Sequence, residues 1–278
     1  MHKSVLTEEL LQYLDPKKGD TIVDATLGCA GHAKEVLDKI TPGGHLIGID
    51  QDQEAVEESK KNLGQFEASS YTLLKGNFRD IDKIVESLDV KEIDGIYFDL
   101  GFSSFQIAHS ARGLSFTENG PLDMRMDRDK RLTAYHIVNK YPRFRLKEIL
   151  STYGEERFSG RIASRIVERR QKAAIKSTRE LAELIVRAVG GRRSGRIHPA
   201  TRAFQALRIE VNDELNALRD TLGKLHSFLK PSARICVISF HSLEDRIVKE
   251  SFRTYRREWG YHILTKKPIT PTPEEESG

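Results

Sequence analysis

Three aspartates, Asp24, Asp50 and Asp99, each close a short apolar run, in TIVDAT, HLIGID and DGIYFDLG. Residues 24 to 34, DATLGCAGHAK, set the first of them before a loop with glycines at 28 and 31 and then the start of a helix. Strand, glycine loop and helix make a nucleotide-binding turn. A dinucleotide site wants G-x-G-x-x-G. Here the loop reads G-C-A-G-H-A, with Ala30 in place of one glycine, and no G-K-[ST] follows to make a P-loop. S-adenosylmethionine fits better. It needs close backbone approach, a carboxylate near its amino group and another for its ribose hydroxyls, and Asp24 and Asp50 supply those charges in order. The bland reading of each acid alone is a loop-capping aspartate. In KGNF, Phe78 is expected either against an adenine ring or in plain core packing. Asp99 in FDLG falls where ligands bind in open α/β sheets, beyond the carboxyl ends of the strands.

The elements that must position these residues read as an α/β chain. Apolar runs alternate with amphipathic stretches at Glu54 to Leu63 and Ile81 to Leu88, which predicts parallel strands with helices on both faces. From about Ile107 to Gln205 strand-like runs are missing. Apolar residues there recur at helical spacing: Leu146, Ile149, Leu150 and Tyr153, then Leu181, Leu184, Ile185 and Ala188. A long helix, roughly Thr201 to Leu229, leads to ARICVIS, another buried parallel strand. The α/β pattern has then resumed. The expected organisation is a discontinuous sheet domain, 1–106 and 206–278, carrying an all-helical insertion at 107–205, with a loose tail TPTPEEESG.

Charge divides the chain the same way. Of 45 Lys and Arg, 22 lie between Ile107 and Gln205 against 10 of the 41 Asp and Glu, a net +12 there and −8 elsewhere. Such asymmetry suggests a polyanion partner, although solvated helix faces would read alike. The 278 residues hold no apolar run long enough for a membrane span, and MHKSVLTEELLQYL has no signal core, so a cytoplasmic location is expected. Cys29 and Cys236 match no metal or disulfide spacing, so both are read as thiols and no metal is expected.

Longer motifs carry more than a class. DATLGCAGHA, GIDQD, DGIYFDLGFSSFQ, RGLSF with GPLDMRMD, ERFSGRIASRIVERR, HPATRAFQALRIEVNDEL and VISFHSLEDRIVK resemble, in order, the motifs of the bacterial ribosomal RNA small-subunit methyltransferase H family, also called MraW. The resemblance runs from His2 to about Pro271. It implies a Rossmann-like S-adenosylmethionine-dependent methyltransferase sheet with a helical insertion, acting in rRNA processing by rRNA methylation. The implied reaction moves a methyl group to N4 of one cytosine in the decoding region of 16S ribosomal RNA. Carried onto matching positions, the cofactor contacts are Ala30, Gly31, His32, Asp50, Phe78, Asp99 and Gln106. Cys29 stands where many relatives have glycine, and Asn119 where they have aspartate. Relatives continue past KPITPT to a final strand, so the last antiparallel pair of the sheet is expected to be incomplete or differently formed.

For that reaction the exocyclic amine needs acceptors that pull it toward tetrahedral geometry, and Asp99 with the carbonyls of Leu100 and Gly101 are the candidates. Phe102 or Phe240 are candidates to stack on the base. SFHS ends the later strand, and His241 is either the acceptor of the released proton or a hydrogen-bonded structural histidine. His198 in HPATR reads equally as a cap or an RNA contact. Arg125, Arg202 and Arg208 read as RNA positioning or bracing. Arg157, Arg161, Arg165 and Arg169 repeat every four residues and predict one phosphate-tracking stripe beside Arg170. The partner would be 16S rRNA within the small subunit or free of it, and a homodimer stays open. The rivals are a non-enzymatic RNA-binding factor on a methyltransferase fold and a nicotinamide-dependent oxidoreductase.

Overall fold

A computed structural model describes residues 4–103, 106–107, 109–191 and 197–272, so the end of the expected tail lies outside the described residues. The chain forms two compact units, Met1–Ser103 with Leu215–Gly278, and Ser104–Glu214.

In the first unit, α1 (Thr7–Leu14) precedes β1 (Thr21–Asp24), α2 (Gly31–Ile40), β2 (His45–Asp50), α3 (Gln53–Asn62), β3 (Tyr71–Lys75), α4 (Ile81–Ser87) and β4 (Ile93–Asp99). These strands are apolar almost throughout because both sheet faces are covered: Ile22, Val23, Leu46, Ile47, Ile49, Ile96 and Phe98 are all buried. On one face Ile22, Leu46 and Tyr97 join Ala33, Val36, Leu37 and Ile40 of α2 in a single cluster. Truncating Leu37 to alanine there would cost about 2–5 kcal/mol.

The second unit is helical: α5 (Ala134–Lys140), α6 (Arg143–Thr152), α7 (Ser159–Lys172), α8 (Thr178–Ala188) and α9 (Thr201–Asn212). Leu146, Ile149, Leu150, Leu181, Ile185 and Ala188 sit in its own core with Met124, Ile162 and Leu207. The 3.6-residue spacing thus marked the buried faces. This unit runs past Gln205 to Glu214 and takes in all of α9.

The single helix expected over Thr201 to Leu229 is two. Asp213, at φ 56°, breaks it into α9 and α10 (Glu214–Lys224). The reason is tertiary: Asn212 turns inward, accepting from Met126 N at 2.8 Å and donating to Met124 O at 2.8 Å, while Arg208 grips Glu214 across the break at 3.0 Å. The chain returns through β5 (Leu229–Ile238) and α11 (Ser242–Trp259).

The strands form one parallel sheet of order β3-β2-β1-β4-β5. Among the described residues no antiparallel strand extends it beyond β5. The connections leave β1 for β2 on one side and reach β4 on the other, so the topological switch lies between β1 and β4, with Asp24 opposite Tyr97. Crevices open at such points.

Candidate active site

The glycine loop is fixed by bonds to its backbone. Gly28, at φ 52°, donates its N–H to Asp50 Oδ2 at 2.8 Å, and Leu27 N donates to Ile49 O at 2.9 Å. From α3, Ser59 Oγ donates to Gly28 O at 2.8 Å and Asn62 Nδ2 to Cys29 O at 3.0 Å. Ala30, at φ 65°, opens α2 in the left-handed region, where a side chain costs about 1–2 kcal/mol. At Gly31 the Ser4 hydroxyl occupies the space a Cβ would take, so the two segments approach closely here.

Asp50 also accepts from Asp52 N at 2.8 Å, and the Gln51 backbone N–H points to the same carboxylate, which still leaves room for a further donor. Burial pushes its carboxyl up to about 6, so at neutral pH it remains mostly ionised. Asp24 behaves otherwise. It is 1% exposed and accepts from Tyr97 OH at 2.6 Å and Thr26 N at 3.1 Å, and burial pushes it up to about 7. The expectation that Asp24 faces a ligand amino group is therefore corrected. It is a buried tie between β1 and β4.

Asp99 takes the exposed place beside it. Its backbone N–H donates to Thr26 Oγ1 at 2.6 Å, and its side chain is 30% exposed. Oδ2 lies 3.5 Å from Nε2 of His32, a residue 5% exposed on the first turn of α2. Among the described residues Asp99 Oδ1 and both ring nitrogens of His32 are buried with no hydrogen-bond partner. The accessible side of the Asp99 carboxylate and the remaining lone pairs of Asp50 are what a cationic ligand bearing an amino group and ribose hydroxyls would engage.

Phe78 is buried edge-on against Phe98, centroids 5.6 Å apart, and its carbonyl accepts from Thr221 Oγ1. Asn77 in KGNF and Gln51 in GIDQD, to which the sequence assigned no role, join the ends of β3 and β2 through a hydrogen bond from Asn77 Nδ2 to Gln51 Oε1 at 2.9 Å. Phe102 and Phe240 are both exposed, and Phe240 approaches the backbone of Gly101, whose φ of 102° suits glycine. Gln106 is buried and belongs to the second unit.

His241 is a helix cap. Its Nδ1 accepts from Glu244 N at 3.4 Å, and Glu244 Oε2 accepts in return from His241 N at 3.4 Å and Phe240 N at 2.9 Å, a capping box that opens α11. Nε2 lies 3.2 Å from Glu244 Oε1. With Nδ1 accepting, the neutral ring carries its proton on Nε2 and has no further acceptor.

In the second unit most arginines brace the fold. Arg125 grips Asp123 with two bonds, at 2.7 and 2.8 Å, and donates to Arg128 O and Lys130 O. Arg202 donates to Glu155 O at 3.2 Å. Arg170 donates to Val138 O and Tyr141 O, both at 2.7 Å, and Arg169 binds Glu180 and Ala173 O. Arg157 precedes α7 and lies over the Phe158 ring. The stripe of four is thus reduced on α7 to Arg161 and Arg165, both exposed.

A Rossmann-like parallel sheet, a glycine loop without the dinucleotide fingerprint and an acid at the end of β2 define the S-adenosylmethionine-dependent methyltransferase class. The sequence comparison gives the family: the chain matches the MraW methylase family over residues 1–278 and belongs to it. It is 48% identical over 275 residues to a ribosomal RNA small subunit methyltransferase H of Persephonella marina, covering 99% of this chain and 93% of the relative. It is 49% identical over 290 residues to the protein of that name in Syntrophotalea carbinolica, covering 99% and 92%. The family implies use of S-adenosylmethionine.

Proposed function

We propose that this chain methylates small-subunit ribosomal RNA at N4 of a cytosine in the decoding region of 16S rRNA, with S-adenosylmethionine as donor. The substrate class is that named for its relatives. The observation that carries the chemistry is the partly exposed Asp99 carboxylate held 3.5 Å from the buried His32, with Oδ1 and both ring nitrogens left without a hydrogen-bond partner among the described residues.

When bound, the donor supplies a methyl group on a positively charged sulfur. The spare lone pairs of Asp50 suit its ribose hydroxyls, and the backbone of Ala30, Gly31 and His32 forms the wall it would lie against. Asp99 accepts one N–H of the target amine on the accessible side of its carboxylate. That draws the nitrogen lone pair out of conjugation with the ring, and the carboxylate then takes the proton lost as the new C–N bond forms and the methyl–sulfur bond of the donor breaks. His32 Nε2 lies 3.5 Å from Oδ2 of the same carboxylate. Phe102 and Phe240, exposed at the ends of β4 and β5, are the rings for a base lifted from its stack. On the second unit, Arg161 and Arg165 engage phosphates.

The test is transfer of a labelled methyl group from S-adenosylmethionine to small-subunit RNA lacking the modification, followed by digestion to nucleosides. Label in N4-methylcytidine supports the proposal; label in another nucleoside, or none, overturns it.

A further inference from the structure

Two motifs remain that the reaction does not use, RGLSF and HPATR, and the second unit brings them together. Phe116 of the first stacks on His198 of the second, with centroids 4.6 Å apart and planes 28° from parallel. Phe204 of α9 meets Phe116 edge-on at 5.0 Å and anchors the pair to the helical core. His198 is oriented by its own backbone, since Nδ1 accepts from Ala200 N at 3.2 Å. The two rings form one wall of a cavity of about 450 Å³, whose other lining includes Thr117 and, from α8, Arg179, Glu183 and Arg187.

The α8 residues fall at positions i, i+4 and i+8, one helical face, so the backbones of Arg179 and Arg187 stand about 12 Å apart along the axis, a span their long side chains can shorten or extend. Arg179 is exposed and makes no hydrogen bond or ion pair among the described residues. Arg187 is exposed and among the described residues holds Glu183, at 3.2 Å, a surface pair that costs little to exchange for another anion.

We infer that this cavity is a nucleotide subsite: it takes one unstacked base of the single-stranded RNA that carries the target cytosine, while Arg179 and Arg187 hold the phosphates on either side. The inference rests on the proposed RNA methylation and adds a second point of RNA contact. Aromatic rings beside cations are how proteins hold single-stranded bases, and each stacked base is worth about 1–3 kcal/mol. Glu183 adds an acceptor that suits a base bearing an exocyclic amine. The choice of RNA over a protein partner follows from charge, because the stretch from Ile107 to Gln205 carries 22 Lys and Arg against 10 Asp and Glu.

The test compares wild type with the double variant Arg179→Glu/Arg187→Glu, whose positions lie outside the core. Filter binding of naked small-subunit RNA over a salt series is measured alongside methyl transfer and the thermal shift given by S-adenosylhomocysteine. The expected result is a loss of RNA affinity of about tenfold or more, a salt slope smaller by about 1–2, a matching rise in KM for RNA and an unchanged thermal shift. Irradiation of 4-thiouridine-substituted RNA bound to wild type should leave a nucleotide on the peptide holding Phe116 or His198. Unchanged affinity and salt slope would overturn the inference. So would an effect confined to assembled subunits, which would make the partner a protein. Should wild type bind RNA through this cavity yet methylate none of it, the proposed reaction fails and the subsite stands.

Discussion

Two histidine–carboxylate pairs in the sheet unit are built from the same chemistry and finished differently. His32 faces Asp99 at 3.5 Å, and among the described residues both its ring nitrogens and one Asp99 oxygen have no hydrogen-bond partner. His241 faces Glu244 at 3.2 Å, but there the backbone at the start of α11 takes up Nδ1 and the carboxylate, and only Nε2 is left without a hydrogen-bond partner among the described residues. Each buried polar group left unsatisfied costs about 1–3 kcal/mol, so the pair that leaves more of its atoms open is the better candidate to meet a ligand. Side-chain type marks where chemistry is available; backbone satisfaction decides whether it is used for structure instead.

The comparison breaks most readily at Asp99. Replacing it with alanine should lower methyl transfer by about 10²–10⁴, read in a single-turnover assay, while cooperative unfolding is retained. A variant that still turns over at half the wild-type rate would return the proton to another group. His32→Asn comes next, with a loss of about tenfold in kcat and an altered pH–rate profile; a change in KM for the donor alone would make His32 a binding contact.

The buried acid beside them sharpens the comparison through pH. Burial raises Asp24 to about 7 in the folded state, whereas the unfolded chain titrates near 3.8. The folded state therefore holds the extra proton between those values. The stabilisation is complete below about 4 and is lost as pH rises through 7. Urea unfolding at pH 5 and pH 8 should show wild type losing roughly 2–3 kcal/mol more than Asp24→Asn, and equal losses would remove Asp24 from the account. The smallest effect is expected at His241. Asparagine caps helices well, so His241→Asn should change stability by less than about 1 kcal/mol and leave activity within about threefold.

Much of the sheet was legible because strands buried on both faces read as apolar runs ending at polar residues. That rule placed Asp50 and Asp99 at the ends of strands, where the structure has them. Asp24 obeyed it too and was misread, because the Tyr97 hydroxyl that occupies it is 73 residues away. The cap at His241 was present in the text as H-S-L-E, a polar residue with glutamate three positions on, but histidine is not among the usual capping residues. Helical spacing found the buried faces of α6 and α8, yet it set Arg169 in a phosphate stripe. That arginine binds Glu180 and the Ala173 carbonyl, and no local pattern announces such partners. The break at Asp213 lacks a glycine or proline for the same reason: it is imposed by what Asn212 binds in a distant segment.

The central claim, that the crevice at the ends of β1, β2 and β4 receives the donor while the basic helical unit receives the RNA, is tested most directly by calorimetric titration of S-adenosylhomocysteine. Wild type and Arg161→Glu/Arg165→Glu should bind it equally at one site, and Asp50→Ala should bind it at least about tenfold more weakly, the loss of a charge-assisted hydrogen-bonding pair. Wild-type affinity in Asp50→Ala, or a loss in the arginine variant as large as that at Asp50, would contradict the account.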